Sequence, residues 1–401
     1  MTSEWHEVPL RELVGYISKG IAPSYAEEAS ETTIRVLNQK CNRNFRISYG
    51  DSRLHDTLKK KVPPERYVKP DDILINSTGA GTAGRIAQIE DVPSATTIDG
   101  HMILIRSNGK VTQKFLGYAL KAHQWEVLQL DEGSTGQTEL NRDRLLDEIM
   151  INYPVSFDEQ NAIVGTLESI DRKLIVNKEI NDNLEQQAQA FFQELFIDNA
   201  GPEWVLGTIS DLGAVVGGST PSKAKPEYYT ETGIAWITPK DLSINKSKFI
   251  SHGENDITEL GLKNSSATIM PEGTVLFSSR APIGYIAIAA GEVTTNQGFK
   301  SIIPKPEIGT AFVYYFLKYN LPIIEGMASG STFKEVSGST MKGVPAVIPD
   351  SDTITRFNDF CTPIFAQQRI LEEQNQSLAA LRDNLLPKLM SGEIDVSGIQ
   401  L

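Results

Sequence analysis

From Asp158 to Phe196 the chain holds no proline and a single glycine, Gly165, and apolar or Asn residues fall at 163, 167, 170, 174, 177, 181, 184, 188, 191 and 195. Steps of four and three in alternation are a heptad seam, which predicts a long helix with one stripe in need of a partner. Ser156, with Glu159 three residues on, reads as a capping box at its start. A second series follows the same steps at 357, 361, 364, 368, 371, 375, 378, 382, 385 and 389. Gln368, Asn375 and Arg382 interrupt it, and Pro363 and Pro387 are expected to kink or break the helix. Two such seams in one chain most simply pair with each other. The expected contacts run along Ile163, Leu167, Ile170, Leu174, Asn177, Asn181 and Leu184 on one helix and Ile364, Leu371, Asn375, Leu378 and Leu385 on the other. A whole globular segment separates the two, so an antiparallel pair is expected.

Outside the seams the apolar runs are short and bounded by turn residues, as in Asp72-Ile-Leu-Ile75, Met102-Ile-Leu-Ile105 and Val275-Leu-Phe277. Such runs read as strands. Residues 113–125 and 310–319 read as helices within these segments. The pattern also repeats. Glu4-Trp5 recurs as Glu203-Trp204, Lys69-Pro-Asp-Asp-Ile-Leu-Ile-Asn-Ser77 as Met270-Pro-Glu-Gly-Thr-Val-Leu-Phe-Ser278, Gly84-Arg-Ile-Ala87 as Gly284-Tyr-Ile-Ala287, and Thr97-Ile-Asp-Gly100 as Thr295-Asn-Gln-Gly298. So many collinear echoes imply duplication of a unit of roughly 200 residues. The expected fold class is α+β: two mixed α/β domains (1–154 and 201–350) separated by two long antiparallel coiled-coil helices (155–200 and 351–401), with an internal pseudo-two-fold repeat.

The 401 residues carry a net charge of −13, which by itself argues against nucleic acid as a partner. Segmentation changes that. The first and second globular segments each hold a net −2, and the helical segments hold −6 and −3. Residues 35–69 carry ten basic groups against three acidic ones, with Phe45, Tyr49 and Tyr67 among them, a composition suited to a phosphate backbone or to a solvated charged loop. The second domain has a weaker basic window at Lys223, Lys225, Lys240, Lys246 and Lys248. Two distant cysteines, Cys41 and Cys361, give no disulfide framework, and the start of the chain lacks a signal-like run, so a cytoplasmic location is expected.

Gly79-Ala-Gly81-Thr-Ala-Gly84 has the spacing of a dinucleotide-binding turn, but Arg85-Ile-Ala-Gln-Ile89 reads as a strand where that turn must open a helix. The second copy has Pro282 in this place. A strand-loop-strand is the expectation, and a nucleotide-dependent enzyme using Gly79–Gly84 is the weaker alternative. There is no Walker A sequence, no Asn-Pro-Pro-aromatic motif and no metal spacing among the histidines. A binding protein is favoured over an enzyme, with no catalytic or metal-ligating residues.

Over its full length this order of segments resembles the specificity (S) subunits of type I restriction–modification systems. Gly133-Ser-Thr-Gly-Gln-Thr-Glu-Leu-Asn141, Ile149-Met-Ile-Asn-Tyr-Pro154 and Asp158-Glu-Gln160 are similar to the start of that family's central helix. Leu385-Leu-Pro-Lys-Leu-Met-Ser-Gly-Glu-Ile394 is similar to its distal end, and Gly217-Gly-Ser-Thr-Pro221 to the first loop of a recognition domain. The first domain departs with Lys19-Gly-Ile-Ala-Pro23, and the distal helix start, Asp352-Thr-Ile-Thr355, lacks the Glu-Gln pair. The resemblance implies a non-catalytic reader of double-stranded DNA with two target-recognition domains. It implies docking of two methyltransferase (M) subunits and of restriction (R) subunits, with no membrane. S-adenosylmethionine, ATP and magnesium would belong to those partners, with no cofactor in this chain. The alternative from another class is a coiled-coil assembly scaffold without DNA readout.

Chemistry nominates the contact residues. Arg280, after the strand 275–277, can grip guanine O6 and N7 or sit in a structural salt bridge, and Thr78 and Arg85 are its looser counterparts in the first domain. Asn296 and Gln297 suit adenine or a turn. Ser219, Thr220, Lys223, Ser331, Thr332 and Lys334 suit phosphates, as do Lys59, Lys60 and Lys61 unless that run is simply solvated.

Overall fold

Each short apolar run becomes a strand whose two faces are both buried. In a computed structural model describing residues 4–79, 81–132, 139–330 and 334–396, the chain divides into two compact units, 1–173 with 378–401 and 174–377. In the first unit, Val14–Lys19, Met102–Ser107, Ile73–Asn76 and Ile86–Gln88 form an antiparallel sheet in that order. A second sheet runs Thr96–Ile98, Thr33–Leu37, Arg53–Asp56, Tyr25–Ala26, its first pair parallel. Strand side chains alternate between faces. Leu74, Met102 and Leu104 therefore pack on Leu37 and Ile98 of the second sheet, while Ile73, Ile75, Ile103 and Ile105 pack on Phe115 and Leu116 of the helix Gln113–Ala122. The second unit repeats the plan. Its main sheet is Gly213–Gly217, Lys300–Pro304, Val275–Ser279, Ile283–Ala289, with Phe249–Ile250 added at the edge, and its helix is Thr310–Tyr319.

Each domain is closed at its base by its own ends. Trp5–Pro9 pairs with Met150–Pro154, and Val205–Thr208 with Pro345–Ile348. The repeated Trp explains itself here. Trp5 Nε1 donates to Glu159 (3.2 Å) and Trp204 Nε1 to Asp350 (3.0 Å), so each indole is tied to the acid that opens a long helix. The capping box at Ser156 is therefore only half made: Ser156 Oγ accepts from Glu159 N at 3.4 Å, but the Glu159 carboxylate meets the indole. Gln160 is fully buried, taking the Thr112 N–H and donating to Pro154 O, which accounts for the Glu-Gln pair at this helix start.

The long helices run Phe157–Gln193 and Ser351–Met390. All of the expected seam positions are buried or half-buried. Pairing is antiparallel in both units: Asp171 meets Arg382 (3.1 Å) in the first, and in the second Asn177 meets Asn375 (3.0 Å) and Phe191 meets Phe360. The expected break at Pro363 and Pro387 does not occur. Both prolines lie on the exposed face, as do Asp359 and Asp383 four residues before them, so the carbonyls they free can be hydrated. Gln368 and Arg382 do not weaken the seam either, since both serve half-buried carboxylates.

Those carboxylates seat each domain on its helices. In the first unit, Asp171 accepts from Tyr118 Oη (2.9 Å), Lys121 Nζ (3.2 Å) and Arg382. In the second, Glu185 accepts from Tyr315 Oη (2.8 Å), Lys318 Nζ (2.6 Å) and Lys248 Nζ. Lys248 also donates to Gln368 (2.6 Å) and lies over the Phe365 ring, so this member of the basic window faces inward and is unavailable to a ligand. Burial alone would raise the Glu185 pKa; Lys248 and Lys318 overcome it and bring it down to about 2.

Glu185→Gln leaves the buried Lys248 ammonium without its carboxylate and should cost about 3–5 kcal/mol at neutral pH. An unfolded Glu titrates near 4.3. The stabilisation is therefore complete above about pH 4.5 and is lost as pH falls toward 2. Thermal melts from pH 7 to pH 2 should show this loss in the wild type and a flatter profile in the variant.

Candidate nucleic-acid interface

In the second unit the strands Val275–Ser279 and Ile283–Ala289 form an antiparallel hairpin, with Arg280, Ala281 and Pro282 at its tip. The first loop of the domain lies against the neighbouring turn: Ser219 N donates to Thr295 O (2.8 Å), and Thr220 Oγ1 donates to Gln297 Oε1. Gly218 makes that approach possible, since a Cβ there would stand 2.1 Å from Asn296 O and 2.3 Å from Thr295 O. Gly20 does the same in the first domain, with Asp99 O at 2.1 Å and Ile98 O at 2.2 Å. Two sequences that look different, Lys19-Gly-Ile-Ala-Pro23 and Gly217-Gly-Ser-Thr-Pro221, thus share the one residue their geometry needs.

These loops enclose a cleft of about 660 Å³. Five nominated residues line it: Thr220, Lys223, Arg280, Asn296 and Gln297. Ser219 is adjacent, its carbonyl accepting from Trp236 Nε1 at 3.0 Å. Lys334 is exposed, and Ser331 and Thr332 lie outside the described residues, as do Gly133–Thr138 of the first domain. Within the cleft the groups differ in what they have left to offer. Asn296 Oδ1 already accepts from Gly298 N (2.8 Å), so it serves the turn. Gln297 is exposed and keeps its amide NH2 for a ligand. Arg280 meets Glu335 at 3.4 Å with about a third of its side chain exposed. Lys240, also on the wall, is paired with Glu254.

In the first domain the corresponding hairpin joins Ile73–Asn76 to Ile86–Gln88 and is two residues longer: Ile73 pairs with Gln88 where Val275 pairs with Ile288, so the strands match 73 to 275, one position beyond the 73-to-274 match of the sequence repeat. Gly79, Gly81 and Gly84 all take positive φ in this loop, and the chain leaves it as an antiparallel strand. A dinucleotide turn must open a helix; this one does not, and the nucleotide-enzyme alternative has no support. Thr78 occupies the place of Arg280 and bonds His101 Nδ1 (2.7 Å); Arg85 donates to Gly81 O (3.1 Å). Lys59, Lys60 and Lys61 follow the strand Arg53–Asp56 of the other sheet. Lys59 lies 3.8 Å from Asp56, Lys60 donates to Ala22 O in the first loop, and Lys61 is exposed. The basic stretch 35–69 is also less positive than its sum suggests. Arg46 is held by Glu90, outside the window; Arg53 keeps its charge but has one face covered by the Tyr25 ring.

Sequence reasoning missed Trp236, Lys300 and Glu335 in the second domain, and Lys19, His101 and Glu139 in the first. Lys19 bonds Glu139 much as Arg280 and Lys300 meet Glu335. Glu139 and Glu335 sit at matching places in the repeat, which is the signal that could have found them.

A sequence profile described as the type I restriction modification DNA specificity domain matches residues 2–186 and 202–381, once in each half. This chain belongs to that family. Among specificity subunits, it is 41% identical over 191 residues to the type I restriction enzyme MjaIX specificity subunit of Methanocaldococcus jannaschii, a stretch covering 45% of this chain and 44% of that one. It is 29% identical over 469 aligned positions to the HindI specificity subunit of Haemophilus influenzae, covering 98% of this chain and all of that one. The fold is similar to the crystal structure of a type I system S subunit from M. genitalium, with a TM-score of 0.61 at 18% identity over 97% of this chain and 96% of that one. No helix among the described residues of this specificity subunit is long and apolar enough to cross a membrane.

The close approach at Gly218 predicts that Gly218→Ala destabilises the second domain by about 1–3 kcal/mol through overpacking. Gly20→Ala should do so in the first, each read by chemical denaturation.

Proposed function

We propose that this chain is the sequence-reading, non-catalytic subunit of a type I restriction–modification complex, and that each domain contacts one half of a bipartite target in the major groove of double-stranded DNA. The observation that carries this is the cleft of the second domain, where a guanidinium, an amide, a hydroxyl and a lysine converge on one concave surface. Arg and Gln pair with guanine and adenine edges, and Lys and hydroxyls pair with phosphates. The corresponding contacts of the first domain are Thr78, Arg85 and the Lys59–Lys61 run.

The helical pair, on this reading, docks two methyltransferase subunits, and restriction subunits join the assembly. S-adenosylmethionine, ATP and magnesium are held by those partners, and the complex works in the cytoplasm. Charge distribution favours the division of labour. The two domains are each close to neutral, at −2, and the helical segments hold the remaining −9 of the total. Much of the positive charge that long-range DNA attraction needs must then come from the partners.

The test is binding of the chain, alone and assembled with its modification subunits, to duplex DNA over a series of salt concentrations. The assembled complex should bind a defined sequence and lose affinity steeply with salt. Lys223→Ala should weaken binding evenly across sequences and reduce the salt slope by about 1. An assembled complex indifferent to sequence defeats the reader role and favours a scaffold.

A further inference from the structure

We propose that Glu335 is a specificity-determining residue that holds Arg280 for a guanine edge and keeps it from the phosphate backbone. This rests on the reading of the second domain as a DNA reader.

Glu335 is fixed by its neighbour. Val336 N donates to Ser279 O at 3.0 Å, so the carboxylate is pinned beside the end of the strand that presents Arg280. Its two oxygens face two cations: Oε2 lies 3.4 Å from Arg280 Nη1, and Oε1 lies 3.4 Å from Lys300 Nζ. Lys300 also reaches Gln297 O at 3.4 Å and Ser279 Oγ at 3.5 Å, which ties the carboxylate to the cleft wall. Arg280 itself lines the cleft. One Nη is engaged, and the rest of the guanidinium fork, with its five donors in fixed geometry, is left for a ligand.

The two ligands open to that fork differ in charge. A phosphate carries a full negative charge and would be brought close to the Glu335 carboxylate. A guanine edge offers O6 and N7 as neutral acceptors in the geometry of the same fork. Coulomb repulsion therefore acts on the first and hardly on the second. Held in place, the guanidinium also loses less rotamer freedom when a base arrives.

The first domain carries the same acid. Leu140 N donates to Ser77 O at 2.8 Å, as Val336 N does to Ser279 O, and Glu139 precedes Leu140 as Glu335 precedes Val336. There the place of Arg280 is taken by Thr78, and Glu139 pairs with Lys19 at the end of the strand Val14–Lys19. The carboxylate is present in both copies while its cation changes in kind and origin. Its place at the reading surface is thus not tied to one salt bridge.

The experiment selects bound sequences from a randomised duplex library, using the full chain assembled with its modification subunits. It compares wild type, Glu335→Gln, Arg280→Ala and the double variant. Each is also titrated with salt against a duplex lacking the selected motif. Wild type should yield a bipartite motif. Glu335→Gln should relax one G·C pair in one half of it by roughly ten-fold or more, within the range of a bidentate contact. It should also tighten binding to the unrelated duplex and steepen its salt slope by about 0.9, one extra phosphate contact. Arg280→Ala should relax the same pair without that gain, and in its background Glu335→Gln should leave the base preference unchanged. If wild type yields no motif, the reader role falls and this proposal falls with it. If wild type yields one but Glu335→Gln leaves motif and slope unchanged, or still alters the motif in the Arg280→Ala background, only the role of Glu335 is overturned.

Discussion

A half-buried carboxylate on the central helix seats each domain on the helical pair. Asp171 and Glu185 each gather three donors from separate parts of the chain. Two of these donors are the same residues of the duplicated unit: Tyr118 and Lys121 in the first copy, Tyr315 and Lys318 in the second. The third donor differs, and so does the place of the acid's helix relative to the domain, since the one helix Phe157–Gln193 follows the first domain and precedes the second. Asp171 sits on the helix that follows its own domain. The matching position after the second domain is Phe365, which packs against Tyr314, Tyr315 and Phe249. The acid there comes from the facing helix as Glu185. A carboxylate in low dielectric must be met by hydrogen-bond donors. Tyr and Lys, kept in both copies, demand an acid nearby but leave open which helix provides it.

That constraint explains why polar residues interrupt a coiled-coil seam without unravelling it. Gln368 donates toward Glu185 and Asn181 O, Arg382 reaches Asp171, and Asn177 bonds Gln374 and Asn375. Each fixes register, because a shift by one turn would strand it beside apolar neighbours. Hydrophobic burial supplies the attraction between the helices. The polar contacts set where they stop sliding.

The helices were legible because a seam is a local pattern, readable from spacing alone. The strands were legible because runs such as Ile73-Leu-Ile75 are apolar on both faces, which only a strand sandwiched between two layers requires. The prolines misled because a proline's effect depends on which face it occupies, and that is set by the partner helix. The basic stretch 35–69 misled for a related reason: Arg46 is neutralised by Glu90, and no window drawn around the positive residues contains its partner. The cleft was half legible. Aligning the repeats brought Arg280, Asn296, Gln297 and Thr220 to the right loops, since hairpin tips stay tips in both copies. Glu335 and Lys300 escaped because ion pairs across 55 and 35 residues have no local signature.

On the proposed reading, the duplicated scaffold and its unequal loops together give the chain two different readers. The hydrogen bonds that shape each reading surface come from backbone: Val336 to Ser279 in one copy, Leu140 to Ser77 in the other. Backbone contacts survive side-chain change, so the tip residue is free to be Arg in one domain and Thr in the other. A fork-shaped guanidinium beside Glu335 and a point-charge lysine beside Glu139 present different donor geometries to the same kind of groove. The proposed reading of two half-sites of unlike sequence therefore needs only one fold, without any change in the core that Phe277 and Ile302, or Ile75 and Ile103, hold together. The rigidity of that core is what gives such a small difference at the tips its meaning. A group placed at the end of a buried strand offers its donors in one direction, and a base pair that does not match that direction leaves them unpaired.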